Sequence, residues 1–452
     1  MSDPRRFEER RWWRLSLILW VFLGLFLLTS ARCSRSGAPP KGSRGPEPQA
    51  TDAAAGKADA RPVGSMPGSR PEPAPGKDAG PSPAPDAGAR PLPRAVGVLP
   101  PMPAEAECGA EAKRLFDLLF CEGIAADAHC KKLEGAMERY RKGYREPMRA
   151  WLAKERPTNL PSTLLYPFAG GDLVSALSSF PDQREFVHLS LEHGGPPAPF
   201  KDGASPRLTQ ARGMLFRMAD LLLRHGESFS VDLQKQEQAL LPGVLPMLLV
   251  GVKVHGGTPT GLAYLKVTPE GSLQRWTRNE LDAPGPRARR LYTTWKDPKF
   301  SARFANLELR FRLPGDSSDR RVIHLSANLA DVGLKRAPGV DRYLSALGPS
   351  ALMIKASSYL MWTGDFSRIR DLIFEKASFA ISDFTAPYPG WLKKRGFSLG
   401  LHGRYDCMRN PRLRESAKPW IEAFRRPTSQ ALPFRWGYID CKNQNHVVLI
   451  RK

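Results

Sequence analysis

The chain has 452 residues and a formal net charge of +23, and the part before residue 105 is rich in proline and glycine. Length alone would allow two or three domains, but this composition leaves roughly 350 residues for a folded part, enough for one large domain or two small ones. A basic chain suits nucleic acid, an anionic lipid surface or an acidic polymer. Arginine is spread along this chain and not gathered into one run, which disfavours nucleic acid as the partner.

The N-terminal segment, residues 1–33, is predicted to be a signal anchor. Five arginines within the first 14 residues precede an almost wholly apolar run at 15–28. This run lies between the length of a signal-peptide core and that of a transmembrane helix. The basic flank predicts a single-pass inner-membrane protein with its N-terminus in the cytoplasm and the bulk of the chain in the periplasm. Small residues at 29–31 leave open whether the signal is cleaved.

Residues 34–104 consist mainly of proline, alanine, glycine, serine and aspartate, with isolated charges and no apolar periodicity. Such a composition predicts a disordered, partly extended linker. The simplest interpretation is a tether between the membrane and the folded part.

Folded structure is predicted to start with a helical hairpin at 105–158, formed by amphipathic helices at 111–121 and 125–154. Five cysteines follow the predicted anchor, in a compartment that permits disulfides. A hairpin brings Cys121 and Cys130 close together, and Cys407 and Cys441 lie in strand regions that are able to pair. We therefore predict the bridges Cys121–Cys130 and Cys407–Cys441, with Cys108 left over. The chain has no C-x-x-C pair, so no metal site is predicted.

Residues 159–452 are predicted to form one α/β domain. Strand and helix patterns alternate along it, which predicts a Rossmann-like, mainly parallel sheet flanked by helices. Segments at 434–438 and 447–450 predict a C-terminal antiparallel hairpin. Helices are predicted at 208–224, 239–252, 365–376 and 412–425, and further strands at 262–267, 306–313, 320–327, 351–355 and 378–382.

The most informative stretch is residues 166–172 (YPFAGGD) with the apolar run at 173–180 and the strand pattern at 185–192. It predicts a strand, a glycine turn, a helix and a second strand that ends in Glu192. Gly170 and Gly171 allow a tight turn and close approach of a ligand, and an acid about 20 residues on is able to hold ribose hydroxyls. Asp172 at the helix start caps the helix and repels phosphate. The predicted site therefore suits an uncharged or cationic ligand.

Ligands of open α/β sheets bind at the carboxyl ends of the strands. Several polar side chains are expected to fall along that edge and form a ligand-binding site. The candidate residues are Tyr166, Gly170, Gly171, Asp172, Glu192, Asn328, Ser357 and Asp383. The lone histidines 188, 193 and 324 are expected to be structural, and Ser357 lacks the G-x-S-x-G context of a nucleophile elbow.

The glycine turn, the acid that ends the second strand and the closing hairpin resemble the start of class I S-adenosylmethionine-dependent methyltransferases. The resemblance covers 160–452 in order of elements, but only Gly170, Gly171, Asp172 and Glu192 in residues. The chain departs from that family in having Tyr-Pro-Phe at 166–168, where the family has an acid and one more glycine. Because S-adenosylmethionine is not expected outside the cytoplasm, no cofactor is predicted.

The chain also resembles a set of uncharacterised exported bacterial proteins. The matching stretches are 166–172 with 180–181, 356–361 with 366–367, and 432–434 with 437–438. This resemblance implies one domain and no established activity.

These observations favour a membrane-tethered periplasmic protein whose domain binds a ligand or partner without catalysis. The alternative is an exported enzyme, related to methyltransferases or a hydrolase, that uses the strand-end acids. A third hypothesis is a basic surface that binds an anionic envelope polymer. The predicted partners are thus the membrane, through the N-terminal helix, and an envelope protein or anionic polymer.

Overall fold

The computed structural model describes residues 108–123, 127–197, 206–225, 240–287, 300–408, 411–425, 431–436 and 445–452. All of them lie in one compact unit, Arg94–Lys452. The predicted signal anchor and linker, residues 1–104, lie outside these ranges. Within the ranges, no helix has both the length and the apolar character needed to cross a bilayer.

The helices form where the sequence shows amphipathic periodicity and capping residues. Asp127 accepts a hydrogen bond from the Cys130 amide at 3.0 Å and caps the start of the second helix. The predicted helix at 125–154 is interrupted by a π-helical turn, Arg141–Arg145. The α-helices are α1 (Gly109–Phe120), α2 (Ala128–Tyr140), α3 (Glu146–Glu155), α4 (Leu173–Ser179), α5 (Pro206–His225), α6 (Leu245–Val254), α7 (Arg278–Asp282), α8 (Asp331–Arg336), α9 (Pro338–Ala346), α10 (Ser367–Lys376), α11 (Pro389–Lys394) and α12 (Pro411–Phe424).

Ten strands form one sheet, in the order β4-β3-β5-β6-β2-β1-β7-β8-β10-β9. Their bounds are β1 (Thr163–Pro167), β2 (Glu185–Ser190), β3 (Thr258–Val267), β4 (Leu273–Arg275), β5 (Asn306–Arg312), β6 (Arg320–Ser326), β7 (Ser350–Ile354), β8 (Ala377–Ser382), β9 (Ser398–Arg404) and β10 (Asn445–Arg451). The five central strands β6, β2, β1, β7 and β8 run parallel to one another. The fold is therefore α/β, as predicted.

The sheet is mixed, which corrects the prediction of a mainly parallel one. The pairings of β3 with β4 and β5, of β5 with β6, and of β10 with β8 and β9 are all antiparallel. For the β3–β4 and β5–β6 pairings the reason lies in the connection, because a short loop returns the chain antiparallel.

The predicted hairpin between 434–438 and 447–450 is wrong in its first strand. β10 pairs with β9, Ser398–Arg404, which the sequence analysis did not predict as a strand. Phe434 and Trp436 lie in a loop, and residues 437–438 lie outside the described part of the chain. Asn445 holds that loop, because its side chain accepts from the Trp436 amide and donates to the Phe434 carbonyl.

Both faces of the sheet are buried, and alternate residues of each central strand serve the two cores. In β7, Ala351 and Met353 belong to one core, while Leu352 and Ile354 belong to the other. Residues of α1 to α6 supply the first core, and residues of α8 to α12 supply the second. The predicted helical hairpin is thus part of the same packed unit as the sheet.

Cys121 and Cys130 form a disulfide that links α1 to α2, with their Cα atoms 6.2 Å apart. Cys108 is a free, buried thiol. Cys407 is disulfide-bonded, but Cys441 lies outside the described residues, so the Cys407–Cys441 pairing stays a prediction.

Candidate functional site

The turn between β1 and α4 begins the candidate site. Phe168 and Gly170 both have positive φ, +59° and +53°, so the chain turns within a few residues. A Cβ added to Gly171 would lie 2.5 Å from the Cβ of Met247 in α6. The missing side chain of Gly171 therefore allows α6 to pack closely, and the close approach that we expected of a ligand is made by the chain itself.

Asp172 caps α4 as predicted, and it is only 2% exposed. Its Oδ1 accepts from the Ser175 amide at 3.0 Å. Its Oδ2 accepts from the Tyr166 hydroxyl at 3.1 Å and from the Lys355 ammonium at 3.3 Å. Both carboxylate oxygens of Asp172 are thus used by groups of the same chain.

Lys355 is the central residue of the site, and the sequence analysis missed it. It follows the wholly buried strand β7 and is 3% exposed. Besides Asp172, its ammonium donates to the Ser175 hydroxyl at 3.0 Å and lies 5.4 Å from the ring centre of Trp436. A charged residue directly after a buried strand is a signal that would have identified it, because a lysine is rarely fully buried unless it is paired.

Asp383, at the end of β8, is the second acid near Lys355. Its Oδ1 accepts from the amide and the hydroxyl of Thr385, at 2.8 and 2.5 Å. Oδ2 is buried and has no hydrogen-bond partner among the described residues. Burial raises the pKa of Asp383 to about 6, although the Thr385 hydrogen bonds and the charge of Lys355 oppose the shift.

The remaining predicted residues have other local roles. Glu192 is 8% exposed, and its backbone carbonyl lies 2.9 Å from His324 Nε2. Asn328 accepts from the Ala330 amide at 3.0 Å, so its side chain stabilises the turn before α8. Ser357 is half-buried in a 3₁₀ segment, Ala356–Trp362. Of the predicted residues, Asp172 contacts Lys355 directly and Tyr166 contacts Asp172. Asp383 interacts electrostatically with Lys355.

The histidines of the central strands lie in the core. His188 packs edge-on against the Tyr166 ring with centroids 5.4 Å apart. Burial lowers the pKa of His188 to about 3 and that of His324 to about 4, so both rings are neutral near pH 7.

The arrangement around Lys355 holds one positive charge among buried carboxyl groups. Burying an ion pair costs desolvation free energy, and the pair persists where further hydrogen bonds complete both partners. Tyr166, Ser175 and the α4 amide supply those bonds here. The cluster connects the turn after β1 to the end of β7, so it fixes the edge of the sheet where a ligand would be expected.

No family model matches the chain, and no curated protein and no solved structure matches it. The fold and the site define an α/β protein in which the acid that caps α4 is paired with a buried lysine of the same chain.

Proposed function

We propose that the protein is a membrane-tethered periplasmic protein whose Rossmann-like domain binds a ligand or partner without catalysis. The observation that carries this proposal is the internal use of Asp172. Its two oxygens receive the Ser175 amide, the Tyr166 hydroxyl and the Lys355 ammonium. The lysine takes the place that a cationic group of a ligand would occupy, so the acid is not available for chemistry on a substrate.

The order of the parallel strands supports a Rossmann-like interpretation. From β1 the chain proceeds outward through β2 to β6, and it then returns to the other side of β1 for β7 and β8. This reversal next to β1 is a topological switch point, as in doubly wound α/β folds. It also agrees with the resemblance to class I methyltransferases in order of elements, and binding in such folds occurs at the strand ends beside the switch.

An oxidising location is supported by the cysteines. The Cys121–Cys130 disulfide lies in the described part of the chain, and disulfides are rare in cytosolic proteins. The membrane anchor, the linker and the partners, an envelope protein or an anionic polymer, are part of the proposal. No bound cofactor is required for it.

A binding experiment tests the proposal at the site. Residues 94–452, which form one compact unit, are purified natively and then denatured, and released small molecules are identified by mass spectrometry. We expect none in stoichiometric amount, and no heat of binding with S-adenosylmethionine in calorimetry. Stoichiometric S-adenosylmethionine would contradict the occupation of the site by Lys355, and conversion of a released molecule by the protein would overturn the non-catalytic function.

One observation favours the enzyme alternative. The Ser175 hydroxyl and the Lys355 amine are 3.0 Å apart, and a serine–lysine pair is a known arrangement for nucleophilic catalysis. A fluorophosphonate probe distinguishes the two functions, with Ser175→Ala as the control. Because Ser175 is 2% exposed, we expect equal and negligible labelling of both proteins, and labelling that depends on Ser175 would establish the hydrolase.

A further inference from the structure

A surface cavity of about 690 Å³ lies where α1 ends and α2 begins. Its wall includes both cysteines of the Cys121–Cys130 disulfide. Phe120, Leu133 and Met137 form its apolar part. A volume of this size accepts a small molecule or an inserted side chain. The disulfide therefore faces a space that a reagent from solution is able to enter.

We propose that Cys121–Cys130 is an exchangeable disulfide and that this cavity receives the thiol that attacks it. The attacking group is a thiolate, either of a small molecule or of a cysteine in another protein. The site is separate from Lys355 and does not depend on the function proposed above.

The two sulfurs are not equivalent, because Cys130 lies near the N-terminus of one helix and Cys121 at the C-terminus of another. Cys130 is the third residue of α2, a helix of 13 residues, while Cys121 follows the last residue of α1, a helix of 12. A helix N-terminus stabilises a thiolate and a helix C-terminus disfavours one. Cys130 is therefore the better leaving group, and Cys121 is the sulfur that is attacked.

Charged side chains of both signs line the cavity. Lys131 and Lys253 favour an incoming thiolate, whereas Glu122, Glu134 and Glu138 oppose it, and Lys253 is paired with Glu122. The direction of exchange therefore rests on the two helix ends. The Asp127 carboxylate lies within 4.8 Å of both sulfurs, so it would repel a thiolate on either cysteine. Arg212 donates to that carboxylate at 2.7 Å and offsets its charge.

The exchange consists of two successive thiol–disulfide displacements. A thiol RSH gives its proton to solvent, and its sulfur forms a bond to the sulfur of Cys121. The Cys121–Cys130 bond breaks, and its electron pair leaves on Cys130, which takes up a proton from solvent. A second thiolate then attacks the mixed disulfide, which releases RSSR and the thiol of Cys121. Two thiols are oxidised and one disulfide is reduced.

The experiment follows the intermediate in the purified full-length protein. Reduced glutathione is added, the reaction is quenched with a maleimide, and every cysteine is identified by peptide mass mapping. We expect the mixed disulfide on Cys121 about tenfold more often than on Cys130, because the better leaving group departs. Cys108 reports folding, since it is a buried free thiol whose pKa is raised to about 11 by burial, and it stays unlabelled in the folded protein.

Gly135 provides a matched pair of variants. It lines the cavity, and a Cβ there meets only the end of the Arg139 side chain, at 3.5 Å. Gly135→Phe fills the cavity, and we expect it to slow the exchange about tenfold, because exchange rates depend on access to the bond. Gly135→Ala adds one methyl group and keeps the wild-type rate.

Several results would overturn the proposal. Reduction that occurs only together with labelling of Cys108 would mean that the bond opens through unfolding. A mixed disulfide mainly on Cys130, or equal rates for the two Gly135 variants, would contradict the route through the cavity. A parallel reaction with a reduced dithiol protein in place of glutathione distinguishes the two sources of the thiol, and failure with both excludes exchange.

Discussion

Lys355 shows how one residue determines the character of the site. Its ammonium is buried beside Asp172, with the Ser175 hydroxyl at 3.0 Å. The sequence predicted an acid that suits an uncharged or cationic ligand, and the chain itself supplies a cation from a position 183 residues away. Such a contact depends on the folded arrangement of β1 and β7, so no local pattern predicts the pairing.

The ion pair gives a prediction for stability. Lys355→Met removes the ammonium and leaves the Asp172 carboxylate buried without its cation, which costs about 3–5 kcal/mol. The double variant Asp172→Asn/Lys355→Met removes both charges and keeps a side chain that caps α4. We expect urea unfolding to show the double variant to be more stable than the single one. Lys393→Met, at an exposed lysine, is the control and changes the free energy of unfolding by less than about 0.5 kcal/mol. A double variant less stable than the single one would refute the pairing.

Asp383 gives a prediction for pH dependence. Its pKa rises from the ordinary 3.8 to about 6 on folding, so the folded protein retains a proton that the unfolded chain has released. The contribution of Asp383 to the free energy of unfolding is therefore greatest below about pH 4 and is lost as the pH rises to about 6.

The measurement compares wild type with Asp383→Asn in urea at several pH values. The difference between the two proteins is expected to change between pH 4 and pH 6 and to be constant above that window. A constant difference throughout would show that Asp383 has the same pKa in both states.

At the scale of elements, the β1–α4–β2 unit was predictable because its signals are local. The cap at Asp172 and the glycines at 170 and 171 lie within the stretch that they organise. The strand β9 was missed for the opposite reason. It is half-exposed and contains Gly400 and Gly403, and its place in the sheet is decided by its pairing with the distant β10.

The close contact between the glycine turn and α6 gives a prediction for Gly171→Ala. The added methyl group would lie 2.5 Å from the Cβ of Met247, so the turn and α6 must move apart, at a cost of about 1–3 kcal/mol. Gly390→Ala in α11 is the control, because nothing lies within 4 Å of its added Cβ. Thermal unfolding measures both, and equal midpoints for the two variants would contradict the contact.

At the scale of the whole molecule, the sequence predicted the α/β class and most of the helices, but not the mixed sheet. Alternating patterns are local, whereas the direction of each pairing depends on which strands meet. Both faces of the sheet are covered, so a buried strand in either direction shows the same apolar run. The sequence therefore contained too little information to distinguish a mainly parallel sheet from a mixed one.

The predicted location belongs to this scale as well. We expect the first 35 residues to direct a fused reporter enzyme, active only outside the cytoplasm, to the periplasmic side. The matched control lacks the apolar run at 15–28 and is expected to remain inactive. Equal inactivity of both fusions would refute export.

The lysine beside Asp172 also affects how the stability of the domain depends on dissolved solutes. A protein that is stabilised by a dissolved ligand becomes less stable as the free ligand concentration falls. Here the stabilising cation is covalently part of the chain, so its effective concentration is set by the fold and does not change with the surroundings. Extensive dialysis is therefore expected to leave the melting temperature unchanged.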